Sequence, residues 1–153
     1  MIDTQGPIIP KSDDKPHEAC GIIGAYLPDE SVVRTAFFGL FALQHRGQES
    51  AGIATSDGDR IHLKAQMGLV SQVFREETLA ALPGHVGIGH TRYSTMGGSK
   101  DYNAQPLLAD GQRGSIAVGH NGNVINAREL RIEMAEEFGS SFEKTSDTEV
   151  IAE

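Results

Sequence analysis

One cysteine is all that this 153-residue chain contains. A lone thiol forms no internal disulfide and no cysteine-based metal cluster, which fits a reducing, cytoplasmic setting. Long apolar runs are missing as well. Nothing approaches the roughly 18 apolar residues of a membrane helix. The first 19 residues are polar, carry Pro7, Pro10 and Pro16, and hold no apolar segment of the signal-peptide kind. Positive charge is scarce: 13 Lys and Arg face 21 Asp and Glu, for a formal net charge of -8 without any basic cluster. Nucleic acid and anionic membrane surfaces are therefore not expected partners. Hydrophobic residues reach 39%, lean but enough for one core, and the length suits one domain.

Glycine, in contrast, is plentiful at 18 residues, as in chains with tight turns and close backbone approaches. Residues 1–19 read as a flexible arm, and order begins at Cys20. Cys20–Tyr26 is a short apolar strand closed by Pro28-Asp29. From Glu30 to Gln44 the residues Val32, Val33, Ala36, Phe37, Leu40, Phe41 and Leu43 recur at helical spacing, with Asp29 or Ser31 as the cap. Gln44–Ser50 has no period and reads as a loop. Ala51–Thr55 and Arg60–Lys64 flank Ser56-Asp57-Gly58-Asp59, a hairpin signal. A short helix is expected over Glu76–Leu82, ended by Pro83-Gly84, and strands over Val86–His90 and Ser115–Gly119. Asn126 with Glu129 opens a helix to about Phe138, and Ser146 with Glu149 repeats the capping-box spacing. That last helix has barely begun at Glu153, so the sequence reads as a C-terminally truncated piece of a larger protein. Strands joined by hairpins, with helices before and after, predict an α+β fold with a mostly antiparallel sheet.

Four places carry chemistry, each with a plainer reading beside it. Cys20 is either a small buried hydrophobe or a nucleophile. It stands where a disposable arm meets a strand, and cleavage there would give it a free α-amine, titrating near pH 8, to act as its own base. Arg92, in Thr91-Arg92-Tyr93-Ser94-Thr95 after a Gly-rich strand, either points to solvent or offers its planar fork to a carboxylate. Asn121 and Gly122 either make an Asn-Gly turn or aim an amide and a backbone N–H at one point as an oxyanion hole. Asp147 either caps a helix or faces a substrate ammonium. His45, His90 and His120 match no metal motif and are read as structural.

Taken together, six segments resemble the class II glutamine amidotransferases, which are N-terminal-nucleophile hydrolases. They are Cys20-Gly21-Ile22-Ile23-Gly24, Leu43–Ile53 around Gln44-His45-Arg46-Gly47-Gln48-Glu49, Gly89–Thr95, Asn103-Ala104-Gln105-Pro106, His120-Asn121-Gly122-Asn123 and Ser146-Asp147-Thr148-Glu149-Val150. Within that class the wording resembles the amidophosphoribosyltransferases. His45-Arg46-Gly47-Gln48-Glu49-Ser50 and Tyr93 both depart from the relatives that make glucosamine 6-phosphate.

The resemblance implies a four-layer αββα sandwich of two antiparallel sheets over residues 20–153, preceded by a propeptide-like arm over 1–19. It implies glutamine as substrate, Cys20 as nucleophile, Asn121 and Gly122 as oxyanion donors, and Arg92 and Asp147 on the α-carboxylate and α-ammonium. Thr95 and Gln105 fall where the family lines the glutamine pocket. No metal site is expected in this segment. A further domain, absent here, would bind phosphoribosyl pyrophosphate with magnesium, in some members beside an iron–sulfur cluster, and the complete enzyme would be a homo-oligomer. The ammonia would then yield 5-phosphoribosylamine, the first step of purine synthesis. Two other readings compete: a class II amidotransferase with another acceptor, and a silent glutamine-binding module that keeps its arm.

Overall fold

The computed structural model describes residues 20–93, 103–111 and 114–153. Four strands, β1 (Gly21–Tyr26), β2 (Ser50–Ser56), β3 (Ile61–Met67) and β4 (Val86–Arg92), form one antiparallel sheet in the order β1-β4-β2-β3. β2 is buried at every residue from Ser50 to Thr55, so both faces of the sheet are covered. One cover is α1 (Val33–Ala42), which lays Val33, Ala36 and Leu40 against Ala51 and Ile53. The short helices α2 (Val70–Val73) and α3 (Glu76–Ala80) complete this core with Val70, Val73, Phe74, Leu79 and Leu82. Leu40 and Ile53 are fully enclosed, and burying each contributes about 1.5–3 kcal/mol.

The other cover is a second antiparallel sheet, β5 (Leu107–Gly111) with β6 (Gly114–Val118). Between the sheets runs a groove lined by Ala54, Ile88, Ile116 and Ala117. α5 (Thr148–Ala152) packs on both strands of this sheet, and α4 (Ala127–Phe138) packs on α5. The layers therefore run helix, sheet, sheet, helix, the αββα sandwich that the resemblance implies. Among the described residues no helix is long and apolar enough to cross a membrane.

Several local expectations hold. Asp57 Oδ1 accepts from the N–H groups of Asp59 and Arg60, both at 3.0 Å, and Gly58 takes the left-handed φ of 102° that the hairpin turn needs. Gly139, at φ 71°, ends α4 in the left-handed cap that lets the chain leave a helix.

Others are corrected. α1 begins at Val33 rather than Glu30, and neither Asp29 nor Ser31 caps it. The N–H of Val32 instead donates to Gly84 O at 2.9 Å, tying the helix start to the loop before β4. Asn126 makes no side-chain cap. The Ser146–Glu149 box is half formed. Ser146 Oγ accepts from Thr148 N at 3.2 Å, but Glu149 turns away to accept from the N–H groups of Glu143 and Lys144 and to pair with Arg131. Strand β5 was not expected, because Leu107-Leu108-Ala109 lacks alternation and carries no strand signal of its own.

Candidate active site

Cys20 directly precedes β1, and the Gly21–Thr91 pairing brings it beside Arg92, the last residue of β4. Its Sγ lies 4.0 Å from the Tyr93 carbonyl oxygen. The Cys20 carbonyl is held from two sides, by Arg46 Nε at 3.3 Å and by Asn121 Nδ2 at 3.0 Å. Arg92 is almost wholly buried and donates from Nη1 to the carbonyl of Asn103 at 3.3 Å. Burying a guanidinium is costly unless it is hydrogen-bonded, so this contact holds the cation inside the fold.

A cavity of about 290 Å³ opens beside Cys20, at the small end of ligand sites. Cys20, Arg92, Gln105, Gly122 and Asp147 all line it. The structure thus gathers five of the seven expected residues in one space, drawn from 127 residues of sequence separation between Cys20 and Asp147. Asn121 reaches Cys20 without lining the cavity. One N–H of its amide goes to the Cys20 carbonyl, and the second is left for another acceptor. Thr95 and the arm over 1–19 lie outside the described residues.

Two expected side chains already have protein partners. Gln105 bridges two elements: Oε1 accepts from His120 N at 2.7 Å, and Nε2 donates to Thr148 Oγ1 at 2.8 Å. Its backbone lies so close to β2 that a Cβ on Gly52 would fall 2.1 Å from the Gln105 carbonyl oxygen, so only glycine fits there. Asp147 stands at the N-terminal end of α5, but its Oδ2 accepts from Val124 N at 2.8 Å, across the loop, rather than capping its own helix. The same oxygen is 3.9 Å from His120 Nδ1.

The sequence reading missed some neighbours. Arg46 sits in a three-residue 3-10 turn, Gln44–Arg46, inside the segment read as a featureless loop. The absence of any apolar period there was the one available signal. Tyr93, His120, Asn123 and Ser146 also line the cavity. His120 was read as structural, and its ring covers Gly122 so closely that a Cβ there would meet Nε2 at 2.6 Å. His90 is fully enclosed, as a structural histidine would be. Burial drives its pKa down from 6.5 to about 4, against an opposing hydrogen bond to the His120 carbonyl, so the ring is neutral.

Cys20 at the edge of an antiparallel sheet, Asn121 bonded to its carbonyl, and Gly122, Arg92 and Asp147 around one small cavity of an αββα sandwich form an arrangement chemically suited to amide hydrolysis by a cysteine. The comparisons narrow this. The family model for the glutamine amidotransferase domain matches residues 76–153, and the chain belongs to that family. An amidophosphoribosyltransferase of a Synechocystis species is 52% identical over 139 residues, covering 91% of this chain and 28% of that protein. One from Methanocaldococcus jannaschii is 51% identical over 135 residues, covering 88% and 28%. Among solved structures, glutamine phosphoribosylpyrophosphate amidotransferase from B. subtilis, complexed with ADP and GMP, superposes with a TM-score of 0.75 at 41% identity, covering 86% of this chain and 28% of that one. The chain therefore spans somewhat over a quarter of the length of these relatives.

Proposed function

We propose that this domain hydrolyses the side-chain amide of glutamine and hands the ammonia to phosphoribosyl pyrophosphate, forming 5-phosphoribosylamine. The observation that supports the reading is the shared cavity, which Cys20, Gly122, Arg92 and Asp147 all line. After removal of residues 1–19 the freed α-amine of Cys20 accepts the thiol proton, and the thiolate attacks the amide carbon. The second N–H of Asn121 and that of Gly122 take up the oxyanion. The amide nitrogen leaves as ammonia with the transferred proton. Water then cleaves the γ-glutamyl thioester, returning the thiol and glutamate. Arg92 and Asp147 hold the α-carboxylate and α-ammonium, and so select an amino acid over a plain amide.

Similarity to the amidophosphoribosyltransferases supports the acceptor. Magnesium and an iron–sulfur cluster are implied for the rest of such an enzyme; among the described residues no group of three or more His, Cys, Asp and Glu side chains gathers to hold a metal. Cys20→Ala in the complete enzyme, with its phosphoribosyl-transferring domain, tests the reading. It should abolish glutamine-dependent synthesis while ammonia-dependent synthesis persists, because only the first half-reaction needs the thiolate. Equal loss of both would make Cys20 structural.

A further inference from the structure

Both backbone polar groups of His120, the residue before Asn121, end on buried side chains. Its N–H donates to Gln105 Oε1 at 2.7 Å, and its carbonyl accepts from His90 Nε2 at 3.1 Å. The partners come from different sides of the sandwich, His90 from β4 and Gln105 from the segment that enters β5. Each is itself fixed. His90 is 0% exposed and Gln105 5%, and Gln105 is further anchored through Thr148 and against Gly52. Gln105 thereby holds the 119–120 peptide and His90 the 120–121 peptide, so the orientation of both peptides around His120 is fixed just before Asn121 and Gly122.

The tautomer follows from the partner. A carbonyl oxygen only accepts, so the His90 proton is on Nε2. Nδ1 is then a bare acceptor, and it is buried without a partner, which costs stability. An apolar residue at this position in β4 would avoid that cost. The distinctive contribution of the imidazole is its bond to the loop.

We propose that His90 is a positioning residue for amide hydrolysis: with Gln105 opposite, it clamps His120 and sets the direction of the Asn121 and Gly122 donors before substrate arrives. The inference rests on the glutaminase reading above. Preorganised donors act on the transition state rather than on the ground state. Loosening the clamp therefore lowers kcat and leaves KM nearly unmoved.

The test is steady-state glutamate release by the full chain as wild type, His90→Phe and His90→Gln. Phe fills the ring volume without a donor, whereas Gln can place an amide N–H near the site of Nε2. His90→Phe should lower kcat by about 10-fold to 100-fold, less than the roughly 10²–10³ of losing an oxyanion donor outright, with KM close to wild type. His90→Gln should recover most of the loss. Wild-type protein that begins at Cys20 and releases no glutamate defeats the glutaminase reading itself. Active wild type overturns the clamp if His90→Phe matches it, if KM rises as far as kcat falls, or if Gln is no better than Phe. Should His90→Phe not fold, His90→Asn, too short to reach the His120 carbonyl, replaces it with the same expectations. Failure of both to fold assigns His90 to stability alone and also overturns the proposal.

Discussion

The region from Cys20 to Arg92 is built around an apolar core, whereas the region from Asn103 to Glu153 is held largely by polar side chains bonded to its own backbone. The first has Leu40, Ala51, Ile53 and Val70 fully enclosed between α1 and the four-stranded sheet. In the second, α4 buries no residue. Beside a few buried apolar side chains, Ala104, Leu107 and Val150, its order comes from Gln105 on His120, Asp147 on Val124, and Glu149 on Glu143, Lys144 and Arg131. The difference maps onto the chemistry. The nucleophile strand is set by packing, which is non-directional and strong in sum. The donors and the anion are set by hydrogen bonds, which fix direction. Changes in the apolar core should therefore be felt as stability, and changes at the hydrogen-bonded donors of the 120–122 loop as rate.

The sharpest way to break that contrast is to pair one substitution from each side. Ile53→Ala empties a fully enclosed site and should cost about 2–5 kcal/mol in denaturant unfolding, with near-normal kcat in the protein that remains folded. Asn121→Asp should do the reverse. The melting temperature should hardly move, while kcat falls by about 10²–10³, because negative charge now stands where negative charge must develop. An Asn that merely shapes a turn would tolerate Asp, so near-normal kcat for Asn121→Asp would remove it from the oxyanion role.

The pH dependence of stability crosses between the regions, since His90 belongs to the first and holds a loop of the second. Its folded pKa, about 4, lies below the ordinary 6.5. Between those values the unfolded chain binds a proton that the folded chain refuses. This contribution is complete above pH 6.5 and is lost as pH falls towards 4, by on the order of 3 kcal/mol at about 1.4 kcal/mol per unit. His90→Phe should flatten that window in urea titrations taken at several pH values. An unchanged slope would show that His90 is not the group responsible.

The smallest effects complete the comparison. Glu149 is 5% exposed and accepts from Arg131 and two backbone N–H groups, so Glu149→Gln should cost about 1.5–3 kcal/mol. Arg34 and Glu76 also pair, but their side chains are 60% and 68% exposed. Arg34→Ala should stay under about 1 kcal/mol. Comparable losses at both sites would mean that polar bonds matter no more in the second region than in the first.

Sequence legibility follows the same division. β1, α1 and the Asp57-Gly58 hairpin could be read because periodicity and turn chemistry are local. The αββα layering and the site constellation were reached through motif resemblance, since no single segment reveals that residues 20, 92, 122 and 147 share a cavity. What escaped was set by tertiary partners. α1 lacks an Asx or Ser cap because Val32 takes the cap position, its N–H tied to Gly84, and Glu149 leaves its capping box because Arg131 and the turn at 143–144 claim its carboxylate. The double role of Gln105 was hidden for the same reason. Its position marked it as pocket lining, but its two partners, His120 and Thr148, lie 15 and 43 residues away.

The central claim is that Cys20 acts as an N-terminal nucleophile, and intact-mass measurement after reaction with a diazoketone analogue of glutamine tests it most directly. The expected result is a chain whose first residue is Cys20, carrying one adduct on that residue, with glutamine hydrolysis lost in proportion to labelling. Protein that hydrolyses glutamine at full rate while still beginning at Met1 would contradict it.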